Sequence, residues 1–234
     1  MKISELFHGI QGEGIHQGTP MTFVRTQGCN LAEVYGGCRW CDTPYAQSPE
    51  GGEEWPVEAI LRELSRYLNK KVCLTGGEPF TQPDFGELLV ALGRQGYWLE
   101  VETNGSISIS DYLAYGDCWI VDVKCPSSGM EAHNCLDNLR LLKECDQVKF
   151  VVGSWADIDY AEVVVGNHPT KATVLLSPVH GDSQWLQQVA EYVGGSPWAR
   201  LSAQLHKLVW NDDGYEGSGV ALRRIGLSHS RDCG

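Results

Sequence analysis

Lys71-Val-Cys-Leu-Thr-Gly-Gly-Glu-Pro79, Phe85-Gly-Glu-Leu-Leu-Val-Ala-Leu92 and Trp98-Leu-Glu-Val-Glu-Thr103 lie within one stretch of the chain, and their periods decide the fold. The first and third runs are short, apolar and flanked by Gly, as strands are. In the second, Phe85, Leu88, Leu89 and Leu92 recur at helical spacing on one face, and Gly96 stops the helix. Strand, helix, strand over this length is a parallel βα unit. The pattern extends both ways, with further strands expected at Thr22–Arg25, Cys118–Lys124, Gln147–Val152, Ala172–Leu176 and Arg200–Gln204. Val57, Ile60, Leu61, Leu64 and Leu68 share one helical face, and more helices are expected at Asn134–Glu144, from Ser154 with Asp157 in its first turn, and at Ser183–Val193. The fold class is therefore α/β. The units are too few for an eight-fold barrel, which leaves a partial, incomplete TIM-like barrel or an open doubly wound sheet.

Unusual polar residues cluster at or just past the strand ends. Arg25, Thr75-Gly-Gly-Glu78, Glu102-Thr-Asn104, Lys124-Cys-Pro126, Ser177-Pro-Val-His180 and Gln204-Leu-His206 each occupy such a position. The carboxyl ends of parallel strands build active sites in these folds, so the pattern points to an enzyme. The balance of 18 basic against 30 acidic residues gives a net charge of −12, opposite in sign to a phosphate-tracking nucleic-acid binder. No apolar run is long enough for a membrane span, and the first residues lack the apolar core of a signal peptide. A cytoplasmic enzyme acting on a small molecule, with neither nucleic acid nor membrane as partner, is the expectation.

Nine cysteines in a reducing compartment call for ligation chemistry, and an odd number does not make a disulfide framework. Cys29, Cys38 and Cys41 sit in the loop after the Thr22–Arg25 strand. Three thiolates can hold three irons of a 4Fe-4S cluster and leave the fourth iron open. Alternatively, the Cys38–Cys41 pair binds zinc with His8 or His16 completing the site. The other six cysteines read as structural.

Phe23-Val-Arg-Thr-Gln-Gly-Cys-Asn-Leu31, Cys38-Arg-Trp-Cys-Asp-Thr43 and Thr75-Gly-Gly-Glu-Pro79 together resemble the radical SAM superfamily. There, three cysteines carry the cluster and S-adenosylmethionine (SAM) chelates the open iron. The usual spacing is Cys-x3-Cys-x2-Cys. Here eight residues separate Cys29 from Cys38, so Leu31–Gly37 reads as an inserted excursion. Phe7-His-Gly-Ile-Gln-Gly-Glu-Gly14, Gly18-Thr-Pro20, Cys41-Asp-Thr-Pro44, Glu102-Thr-Asn-Gly105 and Gln204-Leu-His-Lys207 narrow the resemblance to the 7-carboxy-7-deazaguanine synthase family.

That resemblance spans roughly residues 3 to 210 and implies a radical SAM core and a chemistry. The implied enzyme is a carbon–nitrogen lyase of queuosine biosynthesis that converts 6-carboxy-5,6,7,8-tetrahydropterin to 7-carboxy-7-deazaguanine, releases ammonia and re-forms SAM. Implied substrate contacts are Ile10, Gln11, Gly12, Glu13, Arg25, Thr75 and His206. The Gln11–Gly14 loop would read the ring's donor edge, and Arg25 would grip the carboxylate bidentately. Implied SAM contacts are Trp40, Cys41, Asp42, Gly77, Glu78, Lys124, Cys125, Pro126, Ser177, Pro178, Val179 and His180. Thr43 matches the position that ligates Mg²⁺. A reducing partner such as flavodoxin and a homodimer also follow from the resemblance. A glycyl-radical activating enzyme shares the cluster and the Gly-Gly-Glu turn, but would need a protein-docking surface in place of the Gln11–Gly14 loop. Residues 1–210 read as the catalytic domain, and 211–234 as a flexible tail whose His229 and Cys233 are not ligands.

Overall fold

The structure, a computed structural model, describes residues 1–210. Its strands are β1 (Lys2–Ile10), β2 (Pro20–Thr26), β3 (Glu53–Glu54), β4 (Lys71–Gly76), β5 (Trp98–Thr103), β6 (Cys118–Val123), β7 (Gln147–Val152), β8 (Thr173–Pro178) and β9 (Arg200–Leu201). The α-helices are α1 (Asn30–Tyr35), α2 (Val57–Leu64), α3 (Phe85–Arg94), α4 (Trp155–Asn167), α5 (Ser183–Gly194) and α6 (Leu205–Trp210). The strands form one sheet in the order β3-β1-β2-β4-β5-β6-β7-β8-β9. From β2 onward every neighbouring pair is parallel. Among these parallel strands, from β2 to β9, strand order follows chain order without reversal, whereas a doubly wound sheet reverses at a switch point. Successive right-handed crossovers in one direction put the helices on one face and curl the other inward. The architecture is the partial barrel.

Alternation along the strands explains how the two faces differ. Val24, Leu74, Val101, Val121, Val148 and Phe150 are buried in the main core beneath the helices, together with Leu88, Leu89 and Leu92 of α3. Their neighbours in sequence line the inner side: Arg25, Thr75, Glu102, Asp122 and Lys149. The outer face carries the stability. Truncating a buried Leu there costs ~2–5 kcal/mol.

Three sequence expectations change. The N-terminal residues form β1, a strand that was not foreseen, antiparallel to β2 and irregular between Ile3 and Glu5. The α2 face stops at Leu64, because the Ser65 hydroxyl donates to the Arg62 carbonyl at 2.7 Å and closes the last turn; Leu68 is fully exposed. Residues 134–144 make no α-helix. Asn134 bonds both backbone groups of Lys124, at 2.8 and 2.9 Å, and Asn138 bonds Ile109 N and Ile107 O at 3.1 and 2.8 Å. These amides tie the segment to neighbouring backbone and leave it in 3₁₀ turns. Ser154 does precede α4, yet its side chain makes no capping bond. Buried Asp157 instead accepts from Gly153 N at 2.7 Å and Ser127 N at 3.0 Å. No helix among the described residues is long and apolar enough to cross a membrane. The tail reading, with His229 and Cys233, lies outside the described residues.

Candidate active site

The inner face of the partial barrel encloses a cavity of about 700 Å³. All six strand ends singled out from the sequence reach it: Arg25, Thr75 to Gly77, Glu102 to Asn104, Lys124 with Cys125, Ser177 to His180, and Gln204 with His206.

Cys29, Cys38 and Cys41 line this cavity as free, half-buried thiols. The excursion between the first two is explained by α1. Gly36 and Gly37 take φ of 87° and 81°, and their N–H groups bond Ala32 O and Leu31 O, both at 3.1 Å. This left-handed double cap turns the chain back so that Cys38 returns to the cavity, with Leu31 buried beneath. Backbone bonds then hold the loop: Gly28 N to Ala46 O at 2.8 Å, Cys29 N to Gln47 O at 2.9 Å and Glu78 N to Gly28 O at 2.8 Å. A Cβ on Gly77 would stand 2.2 Å from the Gly28 carbonyl oxygen, so only glycine lets the two loops touch.

The thiols suit a cluster better than a single ion. Zinc about 2.3 Å from each sulfur would draw three thiolates within about 4 Å of one another. Among the described residues, the groups of three close enough to share one ion are His16–Glu100–Cys118 and Cys73–Glu100–Glu102, and the loop cysteines form no such group. His8 packs on Tyr67 and His16 pairs with Glu100 at 2.6 Å, and neither lines the cavity. Burial pushes the Cys38 thiol up, and the Lys124 ammonium opposes that shift. Cys73 and Cys118 are fully buried and burial pushes their thiols up too, as befits structural cysteines. Thr43 lines the cavity with its hydroxyl 3.7 Å from Cys41 Sγ.

The Gln11–Gly14 loop enters from the opposite end. β1 runs antiparallel to β2, so the loop leaves at the amino ends of the parallel strands and rises into the barrel. Gln11 is buried; its amide nitrogen donates to Glu102 at 3.1 Å and also to Glu100, and its oxygen accepts from Glu13 N at 3.2 Å. Gly14 N bonds Ser202 Oγ at 3.0 Å and Ile15 N bonds Gln147 Oε1 at 2.9 Å. From the far end of the chain, Leu205 N bonds Gly12 O at 2.8 Å and the His206 ring lies against Gly12. Burial pulls the His206 imidazole below its ordinary pKa.

The expected substrate contacts Ile10, Gln11, Gly12, Glu13, Arg25, Thr75 and His206 all line the cavity. Arg25 Nε donates to Glu5 at 3.1 Å, and Thr75 Oγ1 donates to Glu102 at 2.9 Å. Of the expected SAM contacts, Trp40, Cys41, Asp42, Gly77, Lys124, Cys125 and Ser177 to His180 line it as well. Glu78 and Pro126 do not. The Glu78 carboxylate is fully buried and accepts from Asn104 N at 2.6 Å, Thr103 Oγ1 at 2.9 Å and Phe80 N at 3.2 Å. Burial nevertheless pushes it up to about 7 against those bonds. Asp122 and Lys149 were missed. Their signal was a charge inside the buried strands Cys-Trp-Ile-Val-Asp-Val and Gln-Val-Lys-Phe-Val-Val.

Comparison with known proteins agrees with this fold. Residues 23–126 match the Radical SAM superfamily model. The 7-carboxy-7-deazaguanine synthase of Methanospirillum hungatei is 41% identical over 211 residues, covering 89% of this chain and 85% of the relative. The Thermoplasma acidophilum protein of the same name is 35% identical, covering 91% and 98%. Among solved structures, QueE from Escherichia coli superposes with a TM-score of 0.69 at 24% identity, covering 87% of this chain and 93% of its own. Streptococcus suis SuiB, solved bound to S-adenosylmethionine, gives 0.54 at 15% identity over 76% of this chain and 44% of its own. At such identities the two structures speak to the fold alone. The curated relatives say more: the chain belongs to the 7-carboxy-7-deazaguanine synthase family of radical SAM enzymes.

Proposed function

We propose that this chain, a radical SAM lyase of the queuosine pathway, binds 6-carboxy-5,6,7,8-tetrahydropterin inside the partial barrel and converts it to 7-carboxy-7-deazaguanine with release of ammonia. One observation carries the reading: the three cluster cysteines and the Gln11–Glu13 loop, which come from opposite ends of the barrel, line the same cavity with Arg25 on its wall. When bound, the cluster and SAM supply the one-electron chemistry that removes a hydrogen atom from substrate C6 and returns one, SAM being re-formed.

The chain's residues bind, orient and exclude water. Glu13 accepts from the ring's donor edge, while Gln11, its amide already engaged by Glu100 and Glu102, holds the loop at the right height. Arg25 is steadied through Nε by Glu5, which leaves its terminal amino groups for the substrate carboxylate. His206, whose imidazole burial pulls below its ordinary pKa, adds a hydrogen-bonding edge. Cys29, Cys38 and Cys41 hold the 4Fe-4S cluster. Gly77 and the residues from Lys124 and from Ser177 meet SAM, whereas Glu78 and Pro126 support from behind. The Thr43 hydroxyl ligates Mg²⁺, a hard cation that takes oxygen ligands and needs few from protein. The enzyme works in the cytoplasm as a homodimer and draws its electron from a reduced partner such as flavodoxin.

The test is anaerobic incubation of cluster-reconstituted protein with SAM, reductant, Mg²⁺ and the carboxypterin, followed by mass analysis. Formation of 7-carboxy-7-deazaguanine is expected, and its absence removes the activity. Chelating Mg²⁺ should cut turnover while SAM still binds; Thr43→Ala should respond little to added Mg²⁺, and Thr43→Ser should respond like wild type. An equal Mg²⁺ response in wild type and Thr43→Ala takes Thr43 out of the site.

A further inference from the structure

We propose that Lys149 is a positioning residue that locks Glu13 against the substrate and ties the substrate side of the cavity to the SAM side through Asp122. The inference rests on the reading of Glu13 as a substrate contact. Lys149 and Asp122 stand opposite each other in the β6–β7 register. The Lys149 ammonium lies 3.2 Å from Asp122 Oδ1 and 3.1 Å from Glu13 Oε2. The second oxygen of each carboxylate is used as well: Lys124 Nζ is 2.7 Å from Asp122 Oδ2, and Gln204 Nε2 donates to Glu13 Oε1 at 2.8 Å. Gln204 also reaches Asp42, at 3.1 Å, beside the cluster cysteine Cys41. Lys149 thus sits midway in an unbroken chain running from Lys124 to Asp42 around the cavity wall.

Physical chemistry gives the lysine a job beyond neutralising charge. Glu13 rides on a loop without regular structure, and an extended Glu side chain there has several rotamers open to it. Anchors on both oxygens select one. The Lys149 side chain is only 13% exposed. Burial alone would lower its pKa, yet Asp122, Glu13 and Glu102 outweigh burial and hold it well above the ordinary lysine value. Removing the cation would leave these carboxylates crowded together in a half-dry cavity. Glu13 would then be the group freest to move, because Asp122 keeps the charged Lys124 whereas Glu13 keeps the neutral amide of Gln204. A merely structural ion pair would show in stability. A positioning role shows in substrate affinity with SAM affinity spared.

The experiment uses reconstituted full-length protein and the substrate 6-carboxy-5,6,7,8-tetrahydropterin. Substrate affinity is measured at equilibrium, SAM affinity by its change in the cluster's electron paramagnetic resonance spectrum, and folding by thermal midpoint. K149M should weaken substrate binding on the order of 10- to 100-fold. SAM affinity should change less than about threefold, and K149R should recover most of the substrate affinity. In the E13Q background, K149M should add less than about threefold, because both changes break one contact. Losses that multiply independently would overturn the proposal, as would wild-type affinity in K149M beside a clear loss in E13Q. Wild-type affinity in E13Q removes the Glu13 reading itself and the inference with it. Should K149M alone not fold, the charge-balanced K149M/E13Q against E13Q decides: equal affinity supports the proposal, and a further roughly tenfold loss overturns it.

Discussion

Two loops meet at the cavity, and they are held by different kinds of bond. The cluster loop is fastened by backbone: Gly28 to Ala46, Cys29 to Gln47, Gly77 to Thr26 and Glu78 to Gly28. The Gln11–Gly14 loop is fastened mostly by side chains, among them Glu100, Glu102, Lys149, Ser202 and Gln204. The difference follows from where each loop enters. At the carboxyl end, adjacent strand ends offer backbone groups to one another. Inside a barrel the ladder groups are already paired, so a loop rising through it finds mostly side chains to bind. Substitutions of side chains in the cysteine loop that spare its glycines and cysteines should therefore cost less than substitutions of the residues that anchor the Gln11–Gly14 loop.

The largest effect should come from breaking the backbone-held side at a ligand. Cys38→Ala is expected to abolish SAM cleavage and most bound iron, whereas Cys145→Ala, at an exposed thiol, should leave both near wild type. Iron and sulfide analysis with a SAM-cleavage assay decides; full iron and activity in Cys38→Ala would end the ligand assignment.

A smaller effect is expected on the side-chain-held face. Arg25→Ala should weaken substrate binding on the order of 10- to 100-fold, with SAM binding retained. Arg25→Lys should recover part of it, since it keeps the charge but loses the planar fork. Substrate titration at fixed SAM reads the outcome, and unchanged affinity in Arg25→Ala would show that the carboxylate binds elsewhere.

The third effect sharpens the contrast, because Glu78 is a side-chain anchor on the backbone-held side. Its carboxyl is pushed up to about 7 by burial, from an ordinary value of 4.5. The folded protein then keeps a proton that the unfolded chain releases. Stability from this group is fully present below the unfolded value and is lost as pH rises through the folded one. Over that window the loss amounts to roughly 3 kcal/mol at most. Thermal midpoints from about pH 5.5 to about 7.5 should fall in wild type and stay flatter in Glu78→Gln. Parallel profiles would mean that the three donors to Glu78 overcome burial.

By itself the sequence determined the βα rhythm, the cysteine loop and the strand-end residues, because each is written in local spacing. Phe85, Leu88, Leu89 and Leu92 on one helical face, Cys38 and Cys41 with two residues between them, and polar groups at six strand ends need no distant partner to be recognised. Residues 134–144 mislead for the complementary reason: Asn138 looks like a helix surface residue until Ile107 and Ile109 arrive to claim its amide. The choice between barrel and doubly wound sheet also lay beyond local pattern, since it depends on the direction of each crossover. So did the entry of the Gln11–Gly14 loop from the amino end, which follows from the antiparallel pairing of β1 with β2. Asp122 and Lys149 were visible only as charges in apolar strands. That they face one another, and together face Glu13, was decided by sheet register and by the curl of the sheet, which brings residues more than a hundred positions apart within one hydrogen bond.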